Sequence, residues 1–307
     1  MDTASKKIKV AISHLLRTQM ELDIEDYGLK GIGNLCNRIL ARYTEFPQPD
    51  PARFAGDDNL YKNVAPLQFT LNRPCESFAN YARSLAGAAN VRTAALCRYY
   101  FECYVNLPRA QRECFIFRES LDKLMRAVKA RVNVNLTYRG EPKRVSPCFL
   151  AFSPSQVRAY VVVCDDRTGA PSASRFHSLR LCHIRGVAPE RGAAFHCENF
   201  ELSHQAETFR EHFDPFLCYG QQVKVRLTEQ GAERYNRLTT NRPKVIAVDG
   251  ALPAAVECAG DYTFECSEKL AKVYFPQFLF DAEILAPREL RLWFKDQFEK
   301  AGKVYGG

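Results

Sequence analysis

The chain has 307 residues, enough for two or three domains, and 46% hydrophobic against 25% charged residues excludes a disordered or fibrous protein. No apolar run approaches the ~18–20 residues of a membrane span, and the opening MDTASKKIKVAIS has neither an apolar core nor a cleavage site, so a soluble, cytoplasmic protein without membrane association is expected. The net charge of +8 is uneven: residues 1–49, 50–112, 113–190 and 191–307 carry +1, +3, +6 and −2, which points either to a polyanion partner held by the first two-thirds or to a solvated surface with chance asymmetry. Taken in order, KIKVAIS alternates, with Ile8, Val10 and Ile12 on one face and Lys7, Lys9, Ala11 and Ser13 on the other, the period of a half-buried strand. LQFTLN repeats it 59 residues later, with Leu67, Phe69 and Leu71 against Gln68, Thr70 and Asn72. Each strand runs into a helical stretch, LLRTQMELDIEDYG or ESFANYARSLAG, expected to stop at a left-handed glycine cap, Gly28 or Gly87. A second amphipathic helix follows in each copy, NLCNRILARYTEF and TAALCRYYFECYV, and the Pro- and Asp-rich PQPDPARFAGDDN reads as a connector.

Strand, helix, turn, helix in about 40 residues resembles the ribbon-helix-helix fold. The resemblance implies an internal pseudo-dimer of copies 6–46 and 66–107 within a domain 1–112. Its antiparallel ribbon would present Lys7, Lys9, Ser13, Gln68, Thr70 and Asn72 to nucleic acid; side chains of these types hydrogen-bond phosphates or base edges. A two-copy bundle that makes no nucleic-acid contact is the other reading, and the acidic first helix (Glu21, Asp23, Glu25, Asp26) speaks for it.

FRESLDKLMRAVKARVNVNLTY begins as a helix and changes to alternation at Val132, Val134 and Leu136. The strand-like runs RVSPCFLAFS, RAYVVVCDD and RFHSLRLCHIRGV follow, with turn chemistry at 139–142, 153–155 and 167–171; short strands at this spacing after one helix suggest a small SH3-like or Sm-like β-barrel over 113–195. Tyr138, Arg144-Val145-Ser146-Pro147, Ala159-Tyr160-Val161 and HSLRLCHI from His177 to Ile184 stand in the order of the WYL-domain family, which the segment resembles. Where that family has Trp, Arg, Phe, Asp and Arg, this chain has Ala159, His177, Leu179, Cys182 and His183. The resemblance implies a polar pocket for nucleic acid or a nucleotide-like effector formed by Arg144, Ser146, Tyr160, His177, Arg180 and His183. Two guanidinium groups would hold phosphate and an aromatic ring would stack a base; a wet-tipped set of ordinary barrel residues is the alternative.

Over 196–307, QQVKVRLTEQGAERYNRL reads as strand then helix, KVIAVDG and AVECAGDYTFEC as strands, and DAEILAPRELRLWFKDQFEKAGKVY as ending in a helix after Pro287 with Leu290, Trp293 and Phe294 as its apolar stripe. This resembles the C-terminal α+β extension of WYL proteins and implies a homodimer. The expected fold class is therefore α+β throughout. The twelve cysteines lie singly in apolar stretches without any C-x-x-C, as small buried hydrophobes do. Cys182-His183 and His196-Cys197 form the one metal-like cluster, but neighbours on a strand point to opposite faces, so no metal is expected. No P-loop, G-x-G-x-x-G, G-x-S-x-G or H-E-x-x-H occurs, so neither a cofactor nor an enzyme is expected, an RNase-like use of His177 and His183 being the catalytic alternative. The combined architecture most resembles the WYL accessory proteins of type VI-D CRISPR loci. That implies single-stranded RNA as partner and enhancement of an RNA-guided CRISPR ribonuclease; the second reading is a ligand-responsive transcriptional regulator on operator DNA.

Overall fold

The alternation of the two N-terminal segments becomes one antiparallel ribbon, β1 (Lys7–Ala11) against β2 (Pro66–Thr70), in the register Lys7 to Thr70, Lys9 to Gln68 and Ala11 to Pro66. Ile8, Val10, Leu67 and Phe69 are buried on its inner face. The computed structural model describes residues 7–54, 66–154, 156–166, 172–190, 192, 194–248 and 255–305; the expected connector beyond residue 54, Ser155, the turn at 167–171 and the last two residues of KVIAVDG lie outside the described residues. Both strands are shorter than the sequence suggests. Ser13 caps α1 (His14–Tyr27), its hydroxyl accepting from Leu16 N at 3.2 Å, and Asn72 precedes a 3-10 turn at Arg73–Cys75.

Gly28 ends α1 in the left-handed conformation at φ 59°, as expected. Its counterpart does not: Gly87 lies inside α3 (Glu76–Ala89), and Asn90 at φ 53° takes the cap. Asn shares glycine's tolerance of that region, so the 59-residue repeat of glycines is not a repeat of caps. The second helices are α2 (Ile32–Leu40) and α4 (Thr93–Val105). Asn37 of α2, buried, joins helix to ribbon by donating to Gly33 O and Thr70 O and accepting from Asn72 N, at 2.8, 2.9 and 2.9 Å.

Two further helices, α5 (Arg109–Ile116) and α6 (Arg118–Ala130), lead into β3 (Val134–Tyr138), β4 (Glu141–Ser153), β5 (Arg158–Cys164), β6 (Phe176–Arg180) and β7 (Ile184–Pro189). Arg139 and Gly140, at φ 52° and 90°, make the two-residue turn between β3 and β4, the positive pair that matches strand twist. The sheet order is β6-β5-β4-β3-β7. Among the described residues it does not close into the expected barrel. RFHSLRLCHIRGV is two strands rather than one run, broken by a 3-10 turn at Leu181–His183, and the halves become the two edges of an open sheet.

The chain divides into two units, residues 1–162 with 179–196 and residues 163–178 with 197–307, so β5 and β6 each run across the division. The second unit continues with α7 (Phe200–Glu211), β8 (Gln222–Leu227), α8 (Glu229–Arg237), β9 (Lys244–Val248), β10 (Gly260–Glu265), α9 (Glu268–Tyr274), β11 (Ala282–Ala286) and α10 (Arg288–Tyr305). Its sheet runs β11-β8-β10-β9, antiparallel throughout. The core here gathers Val225, Tyr262, Phe264, Phe275, Ile284 and, from the expected stripe of α10, Leu290 and Phe294. All twelve cysteines are free, and eight are buried. The molecule is α+β, and no helix among the described residues is long and apolar enough to cross a membrane.

Candidate nucleic-acid interface

On the ribbon, pairing decides what points outward. Lys7, Lys9 and Gln68 are exposed, and Thr70 is half-buried at the end of the row. Ser13 and Asn72 stand past the strand ends, where one caps α1 and the other donates its backbone N–H to Asn37 and accepts from Cys75 Sγ at 3.3 Å.

The six residues expected to form a pocket do not all meet. Ser146 is fully buried, donating to Asn133 Oδ1 at 2.6 Å and accepting from His196 N at 2.7 Å, so it clamps the chain after β7 to β4. Arg144 is exposed on the same strand, with Nε 2.7 Å from Glu190 Oε2. His177 belongs to the second unit, its ring nitrogens 2.7 Å from Asp165 Oδ2 and 2.9 Å from Lys269 Nζ. Tyr160, buried and bonded through its hydroxyl to Gln156, has its pKa raised by that burial. Arg180 and His183 lie within electrostatic reach of one another: burial first, then the charges of Arg180, Arg139 and Arg185, hold the His183 imidazole below its ordinary 6.5.

Two carboxylates dominate this region. Asp26 of α1 binds three guanidinium groups: Arg109 Nη2 at 2.9 Å, Arg180 Nη2 at 3.1 Å, and Arg158 Nη2. Burial alone would raise its pKa; hydrogen bonds from Arg109 and Arg180 and the charges of Arg180 and Arg158 outweigh it and hold the carboxyl below 3.8. Glu113 of α5 is fully buried and accepts from Ala159 N at 3.0 Å and Cys182 N at 3.2 Å, with Arg180 Nε 3.7 Å away. It ties α5 to β5 and to the turn after β6. Three guanidiniums facing two carboxylates leave one net positive charge, so most of the pocket's expected attraction for phosphate is already spent inside the chain. A cleft of about 540 Å³ opens beside it, lined by Gln19, Leu22, Asp23, Asp26, Arg109 and Arg112 among others.

Asp23, one helical turn before Asp26, is 2% exposed and fully engaged: Arg112 Nε donates at 2.8 Å, Tyr104 hydroxyl at 2.7 Å and Gln19 Nε2 at 3.2 Å. Its signal is readable in the sequence, for it occupies a core position of the stripe Leu16, Met20, Asp23, Tyr27 and so demands a cationic partner. Glu113, at the head of the apolar run ECFIF, carries a weaker form of the same signal.

No family model matches the sequence, and neither does any curated protein sequence. The crystal structure of a CRISPR Cas-related protein matches over 100% of this chain and 95% of that one, with a TM-score of 0.63 at 14% identity. The two share a fold. Proteasome accessory factor B/C of Arthrobacter aurescens aligns over 99% of this chain and 51% of its own at 14% identity, with a TM-score of only 0.28, too low to bear on the fold.

Proposed function

We propose that this chain is a non-catalytic nucleic-acid-binding accessory protein of a CRISPR system, acting on single-stranded RNA and enhancing a type VI-D RNA-guided ribonuclease. The observation that carries the reading is the end-to-end likeness of fold to a CRISPR Cas-related protein, which covers both chains almost completely. The order of parts supports it: a two-stranded ribbon with two helices per copy, in the manner of ribbon-helix-helix proteins, then a WYL-like sheet, then an α+β extension; the reading includes a homodimer formed through that extension. The domains are 1–112, 113–195 and 196–307. The +6 of residues 113–190 favours RNA held by the sheet-bearing part.

A second reading, a regulator on operator DNA, is favoured by one feature, the outward row of Lys7, Lys9 and Gln68 on the paired ribbon. Fluorescence anisotropy with single-stranded RNA and with duplex DNA over a salt series separates the two. Tighter binding to RNA, with cleavage by an RNA-guided ribonuclease rising when the protein is added, is the expected result; tighter binding to one duplex sequence that RNA cannot displace selects the regulator.

A further inference from the structure

We propose that Arg38, Arg139 and Arg185, together with Tyr138 and His183, form the surface on which the sugar-phosphate backbone of single-stranded RNA lies, in place of the pocket around Arg180. This rests on the nucleic-acid reading above and assigns it a place. The three arginines come from α2, the β3–β4 turn and β7, all within the first unit. Thr137 pairs with Arg185 across β3 and β7, two residues before Arg139, and the backbone N–H of Arg139 donates to His183 O at 3.2 Å. Arg185 and Arg38 lie over the same Phe117 ring, at 4.8 and 5.7 Å from its centroid.

Charge compensation separates this cluster from the other. Arg109, Arg158 and Arg180 share Asp26, whereas among the described residues no carboxylate pairs with Arg38, Arg139 or Arg185. Glu119 is the carboxylate whose charge reaches Arg38, more weakly than that of Arg185, and it is itself paired with Lys123 at 2.7 Å. Burial and the charge of Arg185 lower the pKa of Arg38, as is expected where like charges crowd without a counterion. A phosphate arriving here relieves repulsion, whereas one arriving at Arg180 must displace Asp26. Two of the guanidiniums are also held in place: Arg38 donates to Ile116 O at 3.0 Å, and Arg185 to Cys182 O and Ile184 O at 2.6 and 2.8 Å, so little of their side-chain entropy remains to be lost on binding. Tyr138 supplies the feature that selects a single strand. The Arg139 guanidinium lies over its half-buried ring at 5.6 Å and the His183 ring meets it edge-on at 6.1 Å, which makes a cationic and aromatic surface for an unpaired base.

The test measures binding of a fluorescent single-stranded RNA across a salt series for the full chain and for Arg38→Gln, Arg139→Gly and Arg185→Gln. Arg139→Gly is the variant least able to disturb the fold, because position 139 sits at φ 52°, where glycine is at ease. Each variant should lose about 5- to 150-fold in affinity and lower the salt slope by about one, while Lys7→Ala and Lys9→Ala change little. Histidine NMR gives an independent readout: RNA should raise the pKa of His183 as phosphates offset Arg139 and Arg185. If the wild type binds RNA but Arg139→Gly retains its affinity and slope and His183 does not move, the surface is wrong and the functional reading stands. If the wild type binds no RNA, both fall.

Discussion

Asp23 and Asp26 are one helical turn apart, yet the surroundings of each give it a different task. Asp23 closes a buried network with Arg112, Tyr104 and Gln19, so Asp23→Ala leaves Arg112 buried without its counterion and should cost about 3–5 kcal/mol in urea denaturation. Asp26 neutralises a partly wet arginine cluster. Its folded pKa is depressed, so its contribution to stability is complete above the unfolded value near 3.8 and is lost as pH falls through the folded value. The wild type should therefore lose stability more steeply than Asp26→Asn in melting curves taken below about pH 4. Asp26→Asn should also tighten polyanion binding, on the order of five-fold, equivalent to the ~1 kcal/mol of one partly exposed charge. Unchanged affinity in anisotropy would mean that these arginines stay closed to the ligand.

At the scale of elements, three glycines that look alike in the sequence should respond in three ways. Gly28→Ala puts a Cβ at φ 59° in the cap of α1 and should destabilise by about 1–2 kcal/mol. Gly87→Ala falls inside exposed α3 with nothing within 4 Å of the new methyl, and should stabilise by about 0.5–1 kcal/mol. Gly231, in the first turn of α8, lies under the backbone of Asp281, whose carbonyl oxygen would lie 2.2 Å from a Cβ, so Gly231→Ala must move backbone and should be the most damaging of the three. Thermal melts of the three variants rank them directly. On the ribbon, Lys9 faces Gln68 across the register, and Lys9→Ala should weaken any duplex DNA binding while leaving RNA affinity almost unchanged.

For the whole molecule, the proposed homodimer through residues beyond 195 can be probed at an apolar side chain with no evident duty in the core. Phe280 is 84% exposed beside Leu279, which is 54% exposed. Light scattering of the full chain should give a dimer, and Phe280→Glu should shift it towards monomer; a monomeric wild type, or a dimer indifferent to the substitution, would remove this interface.

The local part of this fold was legible because periodicity and punctuation are local properties. The alternation of KIKVA and PLQFT, the stop at Gly28, the turn at Arg139-Gly140 and the helix after Pro287 all follow from residues close in sequence. The cap at Asn90 escapes a sequence reading because αL is open to Asn as well as Gly, and RFHSLRLCHIRGV reads as one strand because a 3-10 turn of Leu, Cys and His keeps the apolar rhythm of a strand. The candidate site was legible in residue type but not in charge state of the neighbourhood. Arg180 and Asp26 are 154 positions apart, and only tertiary packing brings the carboxylate of α1 onto the arginines of the sheet. Coulomb energy depends on distance in space, so the sequence by itself determined which charges the chain carries, and the fold alone decided which of them are cancelled within it and which are left for a partner.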